Sequence, residues 1–293
     1  MIEVNNCTLL YPSKKGIHDV SFTIKENEIF GYLGPNGSGK TTTIRAIMGF
    51  MKPQKGNVLV CGLDSWNNHE QVQKRIGYLP GEIAFFDEMT GIEFLKFQAN
   101  LRKMKDFSFM NELIAMFEIN PKGKIKKMSK GMKQKIGIIC AFMHDPDVYV
   151  LDEPTSGLDP LMQQVFIDLV LRKKKEGKTI LMSPHSFEEV EKTCDRIAMI
   201  TDGRIAVVED IEVLKKQRRK IFVVTVENQK MGASLLQAFD EVHPINETVY
   251  EVAVVGDFQH FFEQLKKIKI VDLDVKTQRL EDIFMQYYGK RKG

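Results

Sequence analysis

The sequence predicts an α/β fold, in which helices flank a mostly parallel sheet, and two patterns carry this prediction. In the second half of the chain, short apolar runs alternate with amphipathic segments of helical length. Near the N terminus, the apolar run Glu28–Leu33 leads into a glycine-rich loop and then into the helix-like run Thr42–Met48. Alternation of strands and helices implies a parallel sheet whose ligand sites lie at the carboxyl ends of its strands. The predicted strands of the second half are Val148–Leu151, Thr179–Met182 and Arg196–Thr201.

Two further groups of elements are predicted to surround this sheet. Four runs in the first 60 residues are predicted to form an antiparallel, β-rich edge, and they are Met1–Leu10, Val20–Lys25, Glu28–Leu33 and Gly56–Val60. A helical block follows. Thr90 and Glu93 have the spacing of a capping box at the start of its first helix, and Ser108 is predicted to cap its second. Asp202-Gly203 is typical of a hairpin turn.

The basic run Lys215–Lys220 marks a predicted domain boundary. Residues 1–210 form the first predicted domain, with a helical subdomain at about 88–145, and residues 211–293 form a small α+β accessory domain. The second domain has no obvious catalytic cluster. Its predicted elements are the strands Ile221–Val226, Val249–Val254 and Ile270–Lys276 and the helices Ala233–Phe239, Phe258–Ile268 and Leu280–Tyr288.

The composition of the chain limits the classes of protein to which it can belong. The chain has 293 residues, of which 43% are hydrophobic and 28% charged, as in a globular protein. No apolar run approaches the roughly 20 residues of a membrane span, and the polar N terminus is not expected to be a signal peptide. Four separated cysteines predict free thiols in a reducing compartment. A net charge of +3 does not require a nucleic-acid partner, although the basic clusters could be either solvated helix ends or contacts to anionic lipid or RNA.

The glycine-rich loop has the pattern of a phosphate-binding P-loop, G-x-x-x-x-G-K-[ST]. Its glycines let successive amides turn toward an anion, at a helix N terminus where the dipole favours phosphate. Lys40 is expected to reach the β- and γ-phosphates, Thr41 to ligate Mg²⁺, and Thr42 to approach the α-phosphate. The loop is Gly34-Pro35-Asn36-Gly37-Ser38-Gly39-Lys40-Thr41. The sequence therefore predicts a P-loop nucleotide-hydrolysing core that takes a nucleoside triphosphate and Mg²⁺.

Two carboxylates follow the apolar strand at Val148–Leu151, where the phosphates are expected. Asp152 suits Mg²⁺, usually through water, and Glu153 suits a general base that polarises the attacking water. Side chains alternate along a strand, so the two carboxylates need not share a role. Pro154 is expected to keep the Glu153 backbone extended and to end the strand.

Four other motifs give the chain a family resemblance. Met128–Gln134 resembles the signature motif L-S-G-G-Q of the ATP-binding cassette (ABC) ATPases, with Ser129 and Gly131 matching. Lys130 and Met132 replace the first Gly and the Gln, and Lys130 either adds charge near a phosphate or points to solvent. The remaining matches are the D-loop Ser156-Gly157-Leu158-Asp159, the switch histidine His185, and Tyr11, which resembles an adenine-stacking aromatic.

The resemblance covers about residues 1–210 and implies a mechanism. Two subunits, identical or different, would sandwich two ATP molecules, so that the signature of one chain completes the site of the other. Lys40, Glu153 and His185 would be catalytic. A separate transmembrane permease would dock near residues 81–90, which places the chain at the cytoplasmic face of the membrane, and no nucleic acid is expected.

The C-terminal extension and its Leu280–Phe284 segment resemble those of exporter-type, ABC-2 cassettes. A soluble ABC ATPase acting on ribosomes or DNA and an importer ATPase remain alternatives. The single cassette argues against the soluble class, because soluble relatives usually have two cassettes or a coiled-coil insertion, whereas an importer ATPase could carry a regulatory C-terminal domain. The transported substrate is not encoded in this chain.

Besides the substitutions in the signature motif, one departure from the family pattern bears directly on the metal site. The family places a Gln, which meets Mg²⁺ and the attacking water, where this chain has Gly81-Glu82. Either Glu82 substitutes for that Gln, or water and Glu153 suffice. Our hypothesis is that Glu82 reaches the water shell of the metal.

Overall fold

The computed structural model describes residues 1–184, 186–216, 220–254 and 258–277, together with Glu281. His185 lies outside the described residues, and so does the predicted final helix Leu280–Tyr288 except for Glu281. The chain divides into two compact units, Met1–Ile211 and Glu212–Gly293, and each is described by itself.

The first unit alternates strands and helices. Its strands are β1 (Ile2–Leu10), β2 (Gly16–Ile24), β3 (Ile29–Leu33), β4 (Lys55–Val60), β5 (Leu63–Asp64), β6 (Ile76–Leu79), β7 (Val148–Asp152), β8 (Thr179–Ser183), β9 (Arg196–Thr201) and β10 (Arg204–Asp210). Its helices are α1 (Lys40–Ile47), α2 (His69–Arg75), α3 (Gly91–Leu101), α4 (Ser108–Met116), α5 (Lys130–Phe142), α6 (Pro160–Lys175) and α7 (Phe187–Thr193), with a 3₁₀ turn at Ile125–Lys127. A short helix, α8 (Ile211–Lys216), spans the boundary between the units.

A six-stranded sheet in the order β10-β9-β3-β8-β7-β6 positions the loops that matter. All neighbouring pairs are parallel except β9 with β10, which form a hairpin. Asp202 and Gly203 join that hairpin with φ of 49° and 72°, the left-handed pair that a type I′ turn requires. Every residue of β3, β7 and β8 is buried, as expected of parallel strands covered on both faces. The predicted α/β fold is confirmed.

A second sheet, in the order β2-β1-β4-β5, is antiparallel throughout and contains three of the four runs predicted for the edge. The fourth run, Glu28–Leu33, instead provides β3, which pairs in parallel with β8 and β9. Buried and exposed residues alternate along β2, so one face reaches the core and the other reaches solvent. Ile17 and Phe22 of this strand share a hydrophobic cluster with Tyr32 of β3 and Ile44 of α1. This shared core fixes α1, and the loop before it, against both sheets.

The helices α3, α4 and α5 form the helical block. Thr90 caps α3 through a capping box: its Oγ1 accepts from the Glu93 amide at 3.3 Å, and its amide donates to Glu93 Oε2 at 2.8 Å. The prediction for Ser108 is wrong, because Ser108 is the first helical residue of α4. Its amide and hydroxyl both donate to the Asp106 carboxylate, each at 2.8 Å, so the aspartate two residues earlier organises the turn.

The second unit has β-α-β-β-α-β order, the arrangement of a split βαβ fold. It comprises β11 (Lys220–Val226), α9 (Gln229–Ala238), β12 (Val242–Pro244), β13 (Val249–Val254), α10 (Phe258–Leu265) and β14 (Ile270–Thr277). The antiparallel sheet runs β12-β13-β11-β14, and its core includes Phe222, Tyr250, Val252 and Phe261. The short strand β12 was not predicted from the sequence.

Candidate nucleotide-binding site

The P-loop runs from β3 to the first residue of α1. Gly39 is the N-cap of α1 and has φ of 112°, and Gly37 has φ of 79°, so both adopt backbone angles that favour glycine. Gly34 is constrained differently: a Cβ there would lie 2.4 Å from the Ile200 carbonyl oxygen of β9. The loop therefore turns tightly around the N terminus of α1, where amide groups favour an anion.

Lys40 lies inside this loop. Its Nζ donates to the carbonyl oxygens of Gly34 at 2.6 Å and Pro35 at 3.3 Å. Burial lowers the pKa of Lys40, while the charges of Glu153 and Asp152 oppose that shift. Ser38 Oγ is buried and has no hydrogen-bond partner within the described part of the chain. A half-buried cation and a buried, unused hydroxyl in a ring of amides fit the phosphates of a nucleotide.

Asp152 ends β7 and is 3% exposed. Thr41 Oγ1 donates to its Oδ2 at 3.0 Å, and Ser183 Oγ donates to its Oδ1 at 2.9 Å. The two residues predicted to hold the metal, Thr41 and Asp152, therefore lie together, and their oxygens are the ligands that Mg²⁺ prefers. Ser183 was not predicted to belong to this cluster. It pairs with Asp152 in the register of β7 and β8, a relation that a single sequence does not specify.

Gly81 faces the same carboxylate from the segment after β6. A Cβ built on Gly81 would lie 3.4 Å from Asp152 Oδ2, so a side chain at this position would be directed at the predicted metal ligands. Glu82, the next residue, is exposed. Gly81, at the position where the family has a glutamine, therefore lies beside Asp152, and its missing side chain leaves space next to that carboxylate.

Glu153 does not have the extended backbone that we expected from Pro154. Its φ is 48°, in the left-handed region that residues other than glycine rarely adopt. The Glu153 amide donates to the Ser183 carbonyl at 3.0 Å, and its carbonyl accepts from the Ser156 amide at 3.1 Å. These bonds close a turn directly after β7, and the side chain of Glu153 lines the nucleotide pocket.

The pocket beside the P-loop has a volume of about 460 Å³. Tyr11, the predicted adenine-stacking residue, lines it, and the Tyr11 hydroxyl accepts from Arg45 Nη1 at 3.0 Å. Burial raises the pKa of Tyr11, but hydrogen bonds from Thr42 and Arg45 outweigh it and lower the pKa overall. The other lining residues are Ser13, Lys15, Gly16, Asn36, Gly37, Gly39, Lys40, Thr41, Thr42 and Glu153.

Three residues that line this pocket were not predicted from the sequence. Ser13, Lys15 and Gly16 come from the turn between β1 and β2, which Tyr11 opens. The available signal was the pair Lys14-Lys15, which follows Tyr11 after Pro12 and Ser13, because a cation close to a predicted base-stacking residue is well placed for a phosphate.

The signature-like motif opens α5. Ser129 is the N-cap of that helix, and its Oγ accepts from the Met132 amide at 3.2 Å. Ser129 and Lys130 are exposed, Gly131 and Met132 are half-buried, and none of the four lines the pocket beside the P-loop. The motif therefore presents a helix N terminus to a surface, rather than to the nucleotide pocket of its own chain.

The predicted D-loop packs against this motif. A Cβ built on Gly131 would lie 2.6 Å from the Gly157 carbonyl oxygen, and one built on Gly157 would lie 3.0 Å from Lys130 Cγ. Gly157 has φ of 78°. Leu158 is buried, Ser156 is half-buried, and Asp159 caps α6 by accepting from the Met162 amide at 3.0 Å.

A P-loop at the start of a helix, with carboxylates at the end of a neighbouring parallel strand, defines a nucleoside-triphosphate-hydrolysing cassette. The family model described as ABC transporter matches residues 17–156. The uncharacterized ABC transporter ATP-binding protein YhcH of Bacillus subtilis (strain 168) is 31% identical, over 100% of this chain and 97% of its own length. The bacitracin transport ATP-binding protein BcrA of Bacillus licheniformis is 28% identical, over 99% and 97%.

A solved structure of an ATP-binding subunit of an ABC transporter has a TM-score of 0.69 and 29% identity, covering 74% of this chain and 92% of that one. The chain belongs to the family of ABC transporter ATP-binding proteins. It binds and hydrolyses ATP as a subunit of a transporter. Within the described ranges, no helix is both long and apolar enough to cross a membrane.

Proposed function

We propose that this chain is the motor subunit of an ABC exporter and that it closes on ATP as a dimer with an identical or related cassette. The observation that supports a dimer is that the signature motif and the P-loop pocket are separate within one chain. The P-loop pocket contains Lys40, Thr41 and Glu153, whereas the N-cap Ser129 is exposed and outside that pocket. A second chain is needed to bring a signature serine and helix N terminus to the γ-phosphate.

In this proposal, each residue of the pocket has its own role in binding ATP or Mg²⁺. The loop amides and Lys40 hold the β- and γ-phosphates, Thr42 lies toward the α-phosphate, and Tyr11 stacks on the adenine. Thr41 and Asp152 would hold Mg²⁺, which when bound neutralises charge that develops on the phosphate oxygens. His185, outside the described residues, would contact the γ-phosphate.

Glu153 is the proposed general base. It accepts a proton from water as the water oxygen forms a bond to the γ-phosphorus. The bond from that phosphorus to the β–γ bridging oxygen breaks, and ADP leaves with the bonding electron pair. The left-handed backbone at Glu153 directs its side chain away from the line of β7 and into the pocket.

The transporter role requires a membrane partner. We propose that a permease docks at the cytoplasmic face of the membrane on the segment from residue 81 to residue 90. Phe85 and Phe86 there pack on Phe94 at ring distances of 5.0 and 6.2 Å, and Phe86 remains 54% exposed. An apolar side chain so exposed on a packed segment suits a protein contact.

Export is favoured over import by the two-unit organisation and by the likeness along the whole chain to a bacitracin transport protein. The gene beside this one would discriminate, because a six-span permease supports export and a solute-binding protein supports import. Co-purification with nucleic acid would instead favour the soluble ABC ATPase, which the net charge of +3 does not suggest.

The substitution Glu153→Gln tests the proposed mechanism. It keeps the size of the side chain and removes its basicity, so ATP still binds but hydrolysis falls by two orders of magnitude or more, about the contribution of a general base. The ATP-bound dimer then accumulates and is detected by size-exclusion chromatography with light scattering in ATP and Mg²⁺.

The matched control is Glu3→Gln, at an exposed position on β1, which should hydrolyse ATP at the normal rate and show no trapped dimer. A Glu153→Gln chain that stays monomeric at saturating ATP would argue against the sandwich mechanism. One that keeps the normal hydrolytic rate would remove Glu153 from the role of base.

A further inference from the structure

We propose that Gln134 is a positioning residue for ATP hydrolysis, which holds the backbone of Glu153 and links it to the helix that begins at Ser129. This inference rests on the proposed role of Glu153 as general base. Gln134 belongs to α5, roughly one and a half turns after the N-cap Ser129, and it does not line the nucleotide pocket.

The contacts of Gln134 are specific. The residue is 4% exposed. Its Nε2 donates to the Pro154 carbonyl at 2.8 Å and to the Glu153 carbonyl at 3.3 Å. One amide group thus satisfies two successive backbone acceptors, at the point where the chain turns after β7. A buried amide in such a place is costly to leave without acceptors, so these bonds favour one backbone geometry.

Glu153 needs such support because of its conformation. A φ of 48° is unfavourable for a glutamate, and a residue before proline prefers an extended backbone. Without the donor at position 134, rotation of the Glu153–Pro154 peptide toward the extended form would carry the Cα–Cβ bond of Glu153 away from the pocket. Displacement of a catalytic group by about 1 Å is enough to cost about 100-fold in rate.

The same helix touches the same turn at a second point. Gly131 lies against the Gly157 carbonyl, and the stem of Lys130 lies over Gly157. The first turn of α5 and Gln134 therefore hold both ends of the segment from Glu153 to Gly157. A movement of the Ser129 end, where we propose that the partner's ATP binds, would be transmitted to the base of this chain's own site.

Gln134→Met tests the inference, because methionine is as long and unbranched as glutamine but has no donor. We expect kcat for ATP to fall by about 10- to 100-fold, with the KM for ATP and the thermal midpoint nearly unchanged. The matched control is Gln164→Met on α6, where the glutamine is exposed and donates only to Asp168 among the described contacts. It should keep normal kcat.

The double variant with Glu153→Gln separates this inference from the proposed function. If Gln134 acts through Glu153, Gln134→Met lowers the single-turnover rate of the normal chain but not the residual rate of Glu153→Gln. An equal further loss in the double variant would overturn the inference while leaving Glu153 as base. Unchanged kcat in Gln134→Met would overturn it directly.

If Gln134→Met does not fold, Gln134→Leu gives the same test. Leucine has no hydrogen-bond donor and keeps an apolar side chain at this buried position. The same selective loss of kcat supports the inference, and a normal kcat overturns it. A Glu153→Gln chain that hydrolyses ATP normally would instead remove the base itself, and with it the basis for this role of Gln134.

Discussion

The two oxygens of Asp152 each accept a hydroxyl proton from a different element. Thr41 donates from the P-loop helix and Ser183 from the neighbouring strand, so the carboxylate cannot rotate without losing a bond. A hydroxyl that ligates a metal must offer a lone pair rather than a proton. Because a hydroxyl has two lone pairs besides its proton, Thr41 could ligate Mg²⁺ and still donate to Asp152, while the Ser183 bond would hold the other carboxylate oxygen in place.

The residue that completes the metal's surroundings is predicted to be Glu82. Since Gly81 contributes no side chain beside Asp152, the adjacent carboxylate is the available group on that segment. We expect Glu82→Ala to raise, several-fold, the Mg²⁺ concentration that gives half-maximal ATP hydrolysis. Titration of the ATPase rate with Mg²⁺ at fixed ATP measures this.

The control for this titration is Asp87→Ala, which removes an exposed carboxylate from the same segment. Its Mg²⁺ dependence should be normal. If Glu82→Ala titrates like the unaltered chain, then water and Glu153 suffice at this corner of the site.

Among the described helices, α3 has a complete capping box, in which the side chains of both Thr90 and Glu93 accept hydrogen bonds from backbone amides at its N terminus. We expect Thr90→Ala to lower the free energy of unfolding by about 1 kcal/mol, because it removes the hydroxyl of the capping box. The measurement is urea unfolding of the full chain. Asn100→Ala, at an exposed position of the same helix, removes no cap and should not destabilise.

The pH dependence of this effect has a definite sign. The Thr90 amide, and then its hydroxyl, lower the pKa of Glu93 below its ordinary value of 4.5. The ionised Glu93 carboxylate therefore stabilises the folded chain fully above pH 4.5, and this contribution is lost as the pH falls through the lowered pKa. A cost of Thr90→Ala that did not shrink in acid would contradict the assignment of the carboxylate to the cap.

Elements whose signals are local were predictable from the sequence. The Thr90–Glu93 spacing, the P-loop glycines and the Asp202-Gly203 turn each fix their own backbone within a few residues. Glu153 was not predictable in this way. Pro154 favours an extended neighbour, but bonds from Ser183 and Gln134, distant in the sequence, impose the left-handed turn.

At the scale of the whole molecule, the division into two units predicts a pattern of proteolysis. The chain divides at Ile211, and the basic run Lys215–Lys220 follows within a few residues. Because boundaries between domains are preferred sites of cleavage, we expect trypsin to cut there first. Cuts after the first and last lysines of this run would leave two persistent fragments, of about 215 and 73 residues, which mass spectrometry should detect.

Replacing Lys216, Arg218 and Arg219 with glutamine should slow this first cut while leaving later cuts unchanged. First cleavage inside the helical block, for example at Lys103 or Lys122, would contradict the division. The boundary itself followed from a run of charge in the sequence. The residues that hold the site together did not, since Ser183 and Gln134 are identified only by the register and packing of the folded sheet.

In the proposed dimer, the close approach of Gly131 to the Gly157 carbonyl limits what can be learned from dimers of one altered and one unaltered chain. Experimenters often assign a defect to one of two composite sites by altering the signature of a single chain. Here any side chain added at position 131 would collide with the altered chain's own D-loop, 2.6 Å away, before it reached the nucleotide of the partner. Both sites would be damaged by one substitution, so asymmetry between them is better probed at Ser129, whose side chain is exposed.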